Sequence, residues 1–456
     1  MIKLIKKGSN KIGIDGAIAF TILSRVIQAG GGIITLILIA KCLTKVEQGY
    51  YYTFGSILGI QIFFELGLSS IIILYVAHEN SNLTWNDKIS FIGPEESSSR
   101  LSSLLRFAVK WFSVLSIVIL LVLIITGIVF FSKFGSDDVG VNWSIPWMIM
   151  SIFTSLSLLT SPIMAFFEGL GKVKDIAKIR MVQQALQLVL TISLFFFGFK
   201  LYSTPIASII SFSVIPLWIF FTDNRKTLQF IWNKLDKWRV NYSLEIFPYQ
   251  WKMALSFISF YFIYQLFNPV LFATEGAVVA GQMGMTLTVL NTIFTIAYSW
   301  VSTKSPIIAN LIAQKKYVEL DELFKKVQIQ SIFISGLGLL AVLLAVLLLR
   351  YFEVKIGGKS VGDRFLPYQP MIFMMVSIFL NQISACWTSY LRAHKKEPML
   401  VNSIVMAISC SLSTIYIGKY FGVFGMTLGY MILTCLSFVW IYYIFTTKKK
   451  EYQEII

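Results

Sequence analysis

Apolar stretches of about 20 residues recur about twelve times along this chain, joined by short polar segments. A stretch of that length crosses the hydrocarbon core of a bilayer as a helix. No water is available there to satisfy backbone N–H and C=O groups, so each crossing segment must satisfy its own. The stretches fall at 15–40, 50–77, 108–131, 146–167, 181–200, 203–222, 252–272, 282–302, 328–350, 369–391, 399–417 and 423–446. Charged residues make up 14% of the 456 residues and hydrophobic residues 56%, whereas a soluble domain carries about 25% charged residues. The expected class is an all-α integral membrane protein with about twelve transmembrane helices.

The net charge is +16, and its distribution predicts the orientation. An even number of spans puts both termini on one side. With that side inside, the inner loops hold Lys172, Lys174, Lys178 and Arg180, then Arg225 to Lys252, then Lys304 to Lys326, then Arg392, Lys395 and Lys396, and finally Lys448 to Lys450. Roughly 29 Lys/Arg then lie inside against about 9 outside, so both termini are placed in the cytoplasm. The acidic turn Asp137-Asp138 falls outside. The loop after the ninth span, with Arg350, Lys355, Lys359 and Arg364, runs against the rule. Positive charge held in loops between apolar spans suits anionic lipid and argues against nucleic acid as a partner. The N-terminal lysines followed by an apolar run resemble a signal peptide. The run is too long and lacks an A-x-A site, so the segment reads as a retained first span. The expected location is the bacterial cytoplasmic (inner) membrane, as a multi-pass protein.

Residues 223–251 form a basic, Trp-containing stretch that reads as an amphipathic linker on the inner surface. Six spans precede it (1–222) and six follow (252–456). The halves share weak features in the same order. Gly49 opens span two and Gly281 opens span eight. Spans four and ten exit through Glu168-Gly169-Leu170-Gly171-Lys172 and Arg392-Ala393-His394-Lys395-Lys396. Two parallel six-helix lobes with a route between them would give this order.

No enzyme signature is present: no Gly-rich phosphate loop, no H-E-x-x-H and no G-x-S-x-G. Cys42, Cys386, Cys410 and Cys435 show no C-x-x-C spacing, and His78 and His394 are far apart. These residues predict neither a disulfide framework nor a metal site, and no cofactor is expected.

Arg25 lies in the middle of the first apolar stretch, where a charge costs about 2.5–3.5 kcal/mol on insertion scales. Glu65 lies at a similar depth in the second. Two readings stand. In one, the two residues form an internal ion pair that fixes helix packing. In the other, Arg25 faces an aqueous cavity as an anion site, its planar fork suited to phosphate oxygens, and Glu65 carries a proton or sodium ion. Gln28 shares a helix face with Arg25, and Gln61 shares one with Glu65. In the second half, Gln265, Asn268, Asn291, Asn381 and Gln382 place further amides within apolar spans. Each amide suits an interhelical hydrogen bond, and together they suit a hydrated path for sugars.

Three segments carry a family resemblance: Leu43-Thr44-Lys45-Val46-Glu47-Gln48-Gly49-Tyr50-Tyr51-Tyr52-Thr53-Phe54, Phe63-Phe64-Glu65-Leu66-Gly67-Leu68-Ser69-Ser70 and Phe167-Glu168-Gly169-Leu170-Gly171-Lys172-Val173. With the twelve-span pattern they make the chain resemble the O-antigen and capsular polysaccharide flippases of the multidrug/oligosaccharidyl-lipid/polysaccharide exporter superfamily. The resemblance implies a MATE-like fold of two six-helix lobes around a cavity with alternating access. It implies an undecaprenyl-pyrophosphate-linked oligosaccharide as cargo, Arg25, Gln28, Lys41 and Lys304 as pyrophosphate contacts, and Glu65 as the coupling carboxylate for a proton or sodium counter-ion. Membrane lipids and polysaccharide polymerase or export proteins are the implied partners. A cation-coupled drug antiporter of the same superfamily and a non-transporting scaffold of polysaccharide export are the competing readings.

Overall fold

The computed structural model describes residues 16–135, 140–394 and 397–454. Asp137, Asp138, Lys395 and Lys396 lie outside the described residues, as do the side chains of Arg25 and Gln28. The helices are α1 (Gly16–Cys42), α2 (Lys45–Leu58), α3 (Leu68–Asn80), α4 (Glu95–Phe134), α5 (Ser144–Gly169), α6 (Val173–Phe196), α7 (Ser203–Phe212), α8 (Val214–Phe221) and α9 (Asn224–Trp232). They continue with α10 (Phe247–Tyr264), α11 (Phe267–Glu275), α12 (Ala277–Ala313), α13 (Tyr317–Tyr351), α14 (Tyr368–Arg392), α15 (Leu400–Leu412) and α16 (Gly418–Glu454). Two small antiparallel hairpins, Thr84–Trp85 with Phe91–Ile92 and Lys355–Ile356 with Lys359–Ser360, sit in loops.

Among the described residues, nine helices are long and apolar enough to cross a membrane, or ten if the bent pair Lys45–Glu65 and Leu68–Asn80 is one crossing. Two expected spans account for the difference from twelve. The described apolar part of α1 is short (Gly30–Cys42), and Leu400–Tyr452 forms one tract of 53 residues. At 1.5 Å per residue that tract is roughly 80 Å long, more than twice the hydrocarbon core. Gly422 breaks it with φ 58° and ψ −152°, between the expected stretches 399–417 and 423–446. The inner loop expected around Lys304–Lys326 is largely helical. There α12 runs on to Ala313, and the chain turns at Lys315 (φ 58°) into α13.

The described chain divides into two compact units. The first comprises residues up to Leu38, Ile60–Lys133 and Asn142–Phe257; the second comprises Ile39–Gly59, the described part of Phe134–Val141 and the chain from Ile258 onward. Large apolar side chains stay exposed along α4 (Ile117, Leu121, Ile125) in the first and along α13 (Phe333, Leu337, Leu344) in the second. Such a surface is what lipid covers.

In the first unit, α4 begins at Glu95, well before the expected span, because its Ser-rich first turns have a partner. Within the linker the chain is helical in α9 and again from Tyr242, where a π-turn (Tyr242–Ile246) leads into α10; residues 233–241 between them lie against α4 as a strap. Ser99 Oγ donates to the Trp238 carbonyl (2.6 Å) and accepts from the Asp236 N–H (2.8 Å). Ser102 Oγ and Arg106 Nη2 both donate to the Trp232 carbonyl (3.0 and 2.7 Å). Arg100 then bridges Glu79, 3% exposed, at 2.7 Å and Glu245 at 2.6 Å. Deeper in this unit the Trp147 indole fills the space left by Gly127, donating to the Leu123 carbonyl at 3.0 Å.

In the second unit, Gly49 of α2 meets Gly281 of α12. A Cβ on Gly49 would stand 1.9 Å from the Ala277 carbonyl oxygen, so this crossing requires glycine. The basic loop after α13 closes the same end. Arg364, 1% exposed, donates to Gln48 Oε1 (2.7 Å) and to the Leu43 carbonyl (2.6 Å). Gln48 Nε2 donates to the Gly281 carbonyl at 2.8 Å. Arg350 donates to the Gly362, Phe365 and Leu366 carbonyls, and Lys359 caps Cys42 and Leu43. Three of the four cations that run against the charge rule are therefore bound to backbone oxygens, which gives them a packing role.

The Arg100 guanidinium holds the Glu245 carboxyl below the usual carboxylate range. A carboxyl depressed in the folded state stabilises it above the unfolded pKa of about 4.3, and that contribution is lost as pH falls through the lower folded value. Pepsin cleavage within residues 233–241 is therefore expected to rise as pH drops below about 4. The Glu245→Gln variant is expected to be cut faster at pH 5 and to show a flatter pH profile.

Candidate functional site

The second unit encloses a cavity of ≈ 620 Å³ between α2, the α10–α11 break, α12 and α14. Its position follows from helical spacing. Gly284, Thr288, Asn291 and Thr295 recur at steps of four, three and four, so α12 presents them on one face. On α2, Tyr52, Gly55 and Ser56 face the same space. Gly284 admits the Tyr52 ring, since a Cβ there would stand 2.3 Å from it. Nothing lies within 4 Å of where a Gly55 Cβ would be, so that glycine enlarges the opening. The helix is interrupted at Gln265 and Leu266 between α10 and α11, and Gln265 and Asn268 stand at the wall. Asn381 of α14 completes it, donating to the Tyr430 hydroxyl on α16 at 3.0 Å.

The chemistry of the lining is polar and uncharged. No Asp, Glu, Lys, Arg or His lines the cavity among the described residues. Phe260, Tyr264 and Phe294 supply aromatic walls. Asn268 is 7% exposed; its Nδ2 donates to Ser56 Oγ at 3.0 Å, and its Oδ1 has no partner among the described residues. A buried acceptor left without a donor costs about 1–3 kcal/mol. A ligand carrying hydroxyl or amide N–H groups removes that cost, and its C–H faces suit the aromatic walls. An ion would find no countercharge.

Four of the amides singled out in the sequence therefore meet in one place: Gln265, Asn268, Asn291 and Asn381. Gln382 faces away from it. It is 0% exposed and donates to Ser331 Oγ of α13 at 2.7 Å; with the amide turned over, it bonds the Phe294 carbonyl and Tyr298 N–H of α12. Its role is to join helices, as one residue along a helix turns a side chain through about 100°. Lys41 and Lys304 are exposed and line no part of the cavity. Gln61 and Glu65 belong to the first unit, where Ser161 Oγ of α5 donates to Glu65 Oε1 at 3.4 Å. Arg25 and Gln28 sit on α1, and their contacts lie outside the described residues. Sequence reasoning missed Tyr52, Ser56, Thr288 and Thr295. Their signal was present: Thr288 and Thr295 flank Asn291 at helical spacing.

No protein-family model and no curated protein sequence matches the chain. Solved structures match its fold. One is an inward-facing multidrug resistance MATE family transporter of the MOP superfamily, with TM-score 0.61 and 12% identity over 95% of this chain and 98% of that one. Another is the lipid II flippase MurJ in an inward closed conformation, with TM-score 0.61 and 15% identity over 93% and 87%. A third is the MATE multidrug transporter DinF-BH, with TM-score 0.57 and 12% identity over 97% and 96%. The fold is MATE-like along nearly the whole chain.

The two kinds of amide are expected to separate on substitution. Gln382→Leu breaks a satisfied, fully buried contact and is expected to lower stability by about 1–3 kcal/mol. Asn268→Leu removes an orphaned acceptor along with one hydrogen bond and is expected to stay within about 1 kcal/mol of wild type. Thermal unfolding of both variants in the same detergent checks the order.

Proposed function

We propose that this protein is a flippase that moves an undecaprenyl-pyrophosphate-linked oligosaccharide from the cytoplasmic to the outer leaflet by alternating access, driven by an ion gradient or the membrane potential. The observation that carries this reading is the cavity of ≈ 620 Å³, walled by amides, hydroxyls and aromatic rings, with no charged side chain lining it among the described residues. A polyprenyl tail can remain in the bilayer, while its glycan needs hydrogen-bond partners during passage. The cavity offers those partners in a volume typical of ligand sites. The match to a lipid II flippase fold supports the same reading.

The remaining roles belong to this proposal. Arg25, with Gln28, Lys41 and Lys304, receives the pyrophosphate, and Glu65 carries the counter-ion. Segments 1–222 and 252–456 act as two six-helix lobes joined by 223–251. Both termini lie in the cytoplasm of a bacterial cell, and polysaccharide polymerase or export proteins take up the product. A cation antiporter would be expected to place carboxylates in its binding cavity, and none lines this one among the described residues.

Liposomes containing the purified protein and a labelled lipid-pyrophosphate oligosaccharide test the reading. Wild type is expected to translocate the lipid, and Arg25→Ala to slow it by about tenfold or more, equivalent to about 1.4 kcal/mol. No translocation by folded wild type, together with gradient-driven uptake of a cationic dye, would establish the antiporter instead.

A further inference from the structure

Another cavity, of ≈ 680 Å³, lies in the first unit where three connections meet: the hairpin after α3, the turn between α5 and α6, and the junction of α8 and α9. Two crossings separate each connection from the next, so all three lie on one side of the membrane. The candidate spans Ser144–Gly169 and Lys200–Phe221 end beside the cavity and Val173–Phe196 begins there, which sets it at the depth of lipid headgroups. The local sequence builds its walls. Gly171, with φ 86°, turns the chain from α5 into α6. Asp87 is committed to the hairpin turn, accepting from the Ile89 and Ser90 N–H groups at 2.6 Å. Thr227 Oγ1 donates to the Lys88 carbonyl at 3.1 Å and ties that hairpin to α9.

The lining carries both signs of charge. Lys88 and Lys172 stand with Asp175 and Asp223, and Trp85 and Trp218 add aromatic walls of the kind found at headgroup level. Lys172 is partly buried; its Nζ donates to Asn224 Oδ1 at 2.8 Å and lies 5.2 Å from the centroid of the Phe167 ring. Burial lowers the Lys172 pKa below its ordinary value, Asp175 and Asp223 oppose that shift, and Lys88 adds to it, so the four charges feel one another. Among the described residues, the Lys88, Asp175 and Asp223 side chains make no hydrogen bond or close ion pair. Two ammonium groups without a carboxylate in contact favour a phosphate between them. Two open carboxylates favour a cation that can donate hydrogen bonds. A simple anion would face the carboxylates and a simple cation the ammonium groups, whereas a zwitterion answers both. The mouth reaches the apolar surface: Phe221 lines the cavity and is 77% exposed, and its neighbour Phe220 is 58% exposed.

We propose that this cavity holds the headgroup of a phosphoethanolamine lipid, its phosphate against Lys88 and Lys172 and its ammonium against Asp175 and Asp223. The acyl chains leave past Phe221 along the exposed face of α8. Ethanolamine fits better than choline because a primary ammonium carries N–H donors for the two carboxylates and a quaternary one carries none. The site uses none of the residues given a role in transport, and it belongs to the first unit, whereas the glycan cavity belongs to the second. Each of the three connections contributes a charge, so the bound lipid cross-links the hairpin, the α5–α6 turn and the start of α9.

Thermal unfolding of the delipidated, detergent-purified protein tests the site without any transport measurement. Phosphatidylethanolamine, phosphatidylcholine and phosphatidylglycerol with the same chains are added in mixed micelles. The melting temperature is expected to rise saturably with phosphatidylethanolamine and to rise less with the other two. Lys88→Gln is expected to weaken the responses to phosphatidylethanolamine and phosphatidylglycerol alike. Asp175→Asn combined with Asp223→Asn is expected to raise the half-saturating phosphatidylethanolamine concentration by about tenfold and to remove its advantage over phosphatidylglycerol. All three side chains are exposed, so both variants are expected to fold. Equal shifts with the three lipids, or a phosphatidylethanolamine response that survives either variant undiminished, overturns the site. A larger shift with phosphatidylglycerol overturns the zwitterion assignment. A full shift with glycerophosphoethanolamine, which lacks the chains, overturns the lipid assignment.

Discussion

A polar group inside this protein must find a partner within the protein, because the surrounding lipid offers none. Most of the architecture can be derived from that requirement. Gln48 and Arg364 are buried together at the helix crossing of Gly49 and Gly281, and each answers a carbonyl of the other's surroundings. Trp147 meets the Leu123 carbonyl over a glycine, and Ser116 and Ser155 bond across α4 and α5. These contacts cost little because they are paired, and they hold helices at defined registers.

The exceptions mark where the protein has work to do. Asn268 keeps an unpaired acceptor at the wall of a cavity, and the backbone beside Glu65 leaves helical geometry next to two hydroxyls. The first suits a ligand with hydrogen-bond donors. They lie in separate units, Asn268 in the second and Glu65 in the first.

The membrane class and the placement of the spans were legible in the sequence, because apolar length is a direct signal of bilayer crossing. The amides were legible as a class. Their direction was not, since Asn381 and Gln382 are adjacent and only packing shows that one lines the cavity and the other joins α13 and α14. The path of the linker was not legible either: its basic and aromatic residues suggested an amphipathic segment, and only the contacts show that the Ser-rich start of α4 holds residues 233–241 as a strap. The outer basic loop looked like a conflict with the charge rule, and contacts between residues more than 300 positions apart explain Arg364 and Lys359. The side chain of Arg25, the sharpest feature of the sequence, lies outside the described residues, and the role proposed for it rests on its chemistry and the resemblance.

The account depends most on the cavity of the second unit being wet and open to a polar ligand. Cysteine accessibility measures this directly. In a background lacking the four native cysteines, Asn291→Cys and Thr295→Cys are exposed to a membrane-impermeant maleimide from each side of the bilayer, with Phe333→Cys and Leu337→Cys on α13 as lipid-facing controls. The account predicts that the two cavity positions are labelled, that the lipid-linked oligosaccharide protects them, and that the controls stay unlabelled. Cavity positions that resist labelling from both sides as fully as the controls would contradict it.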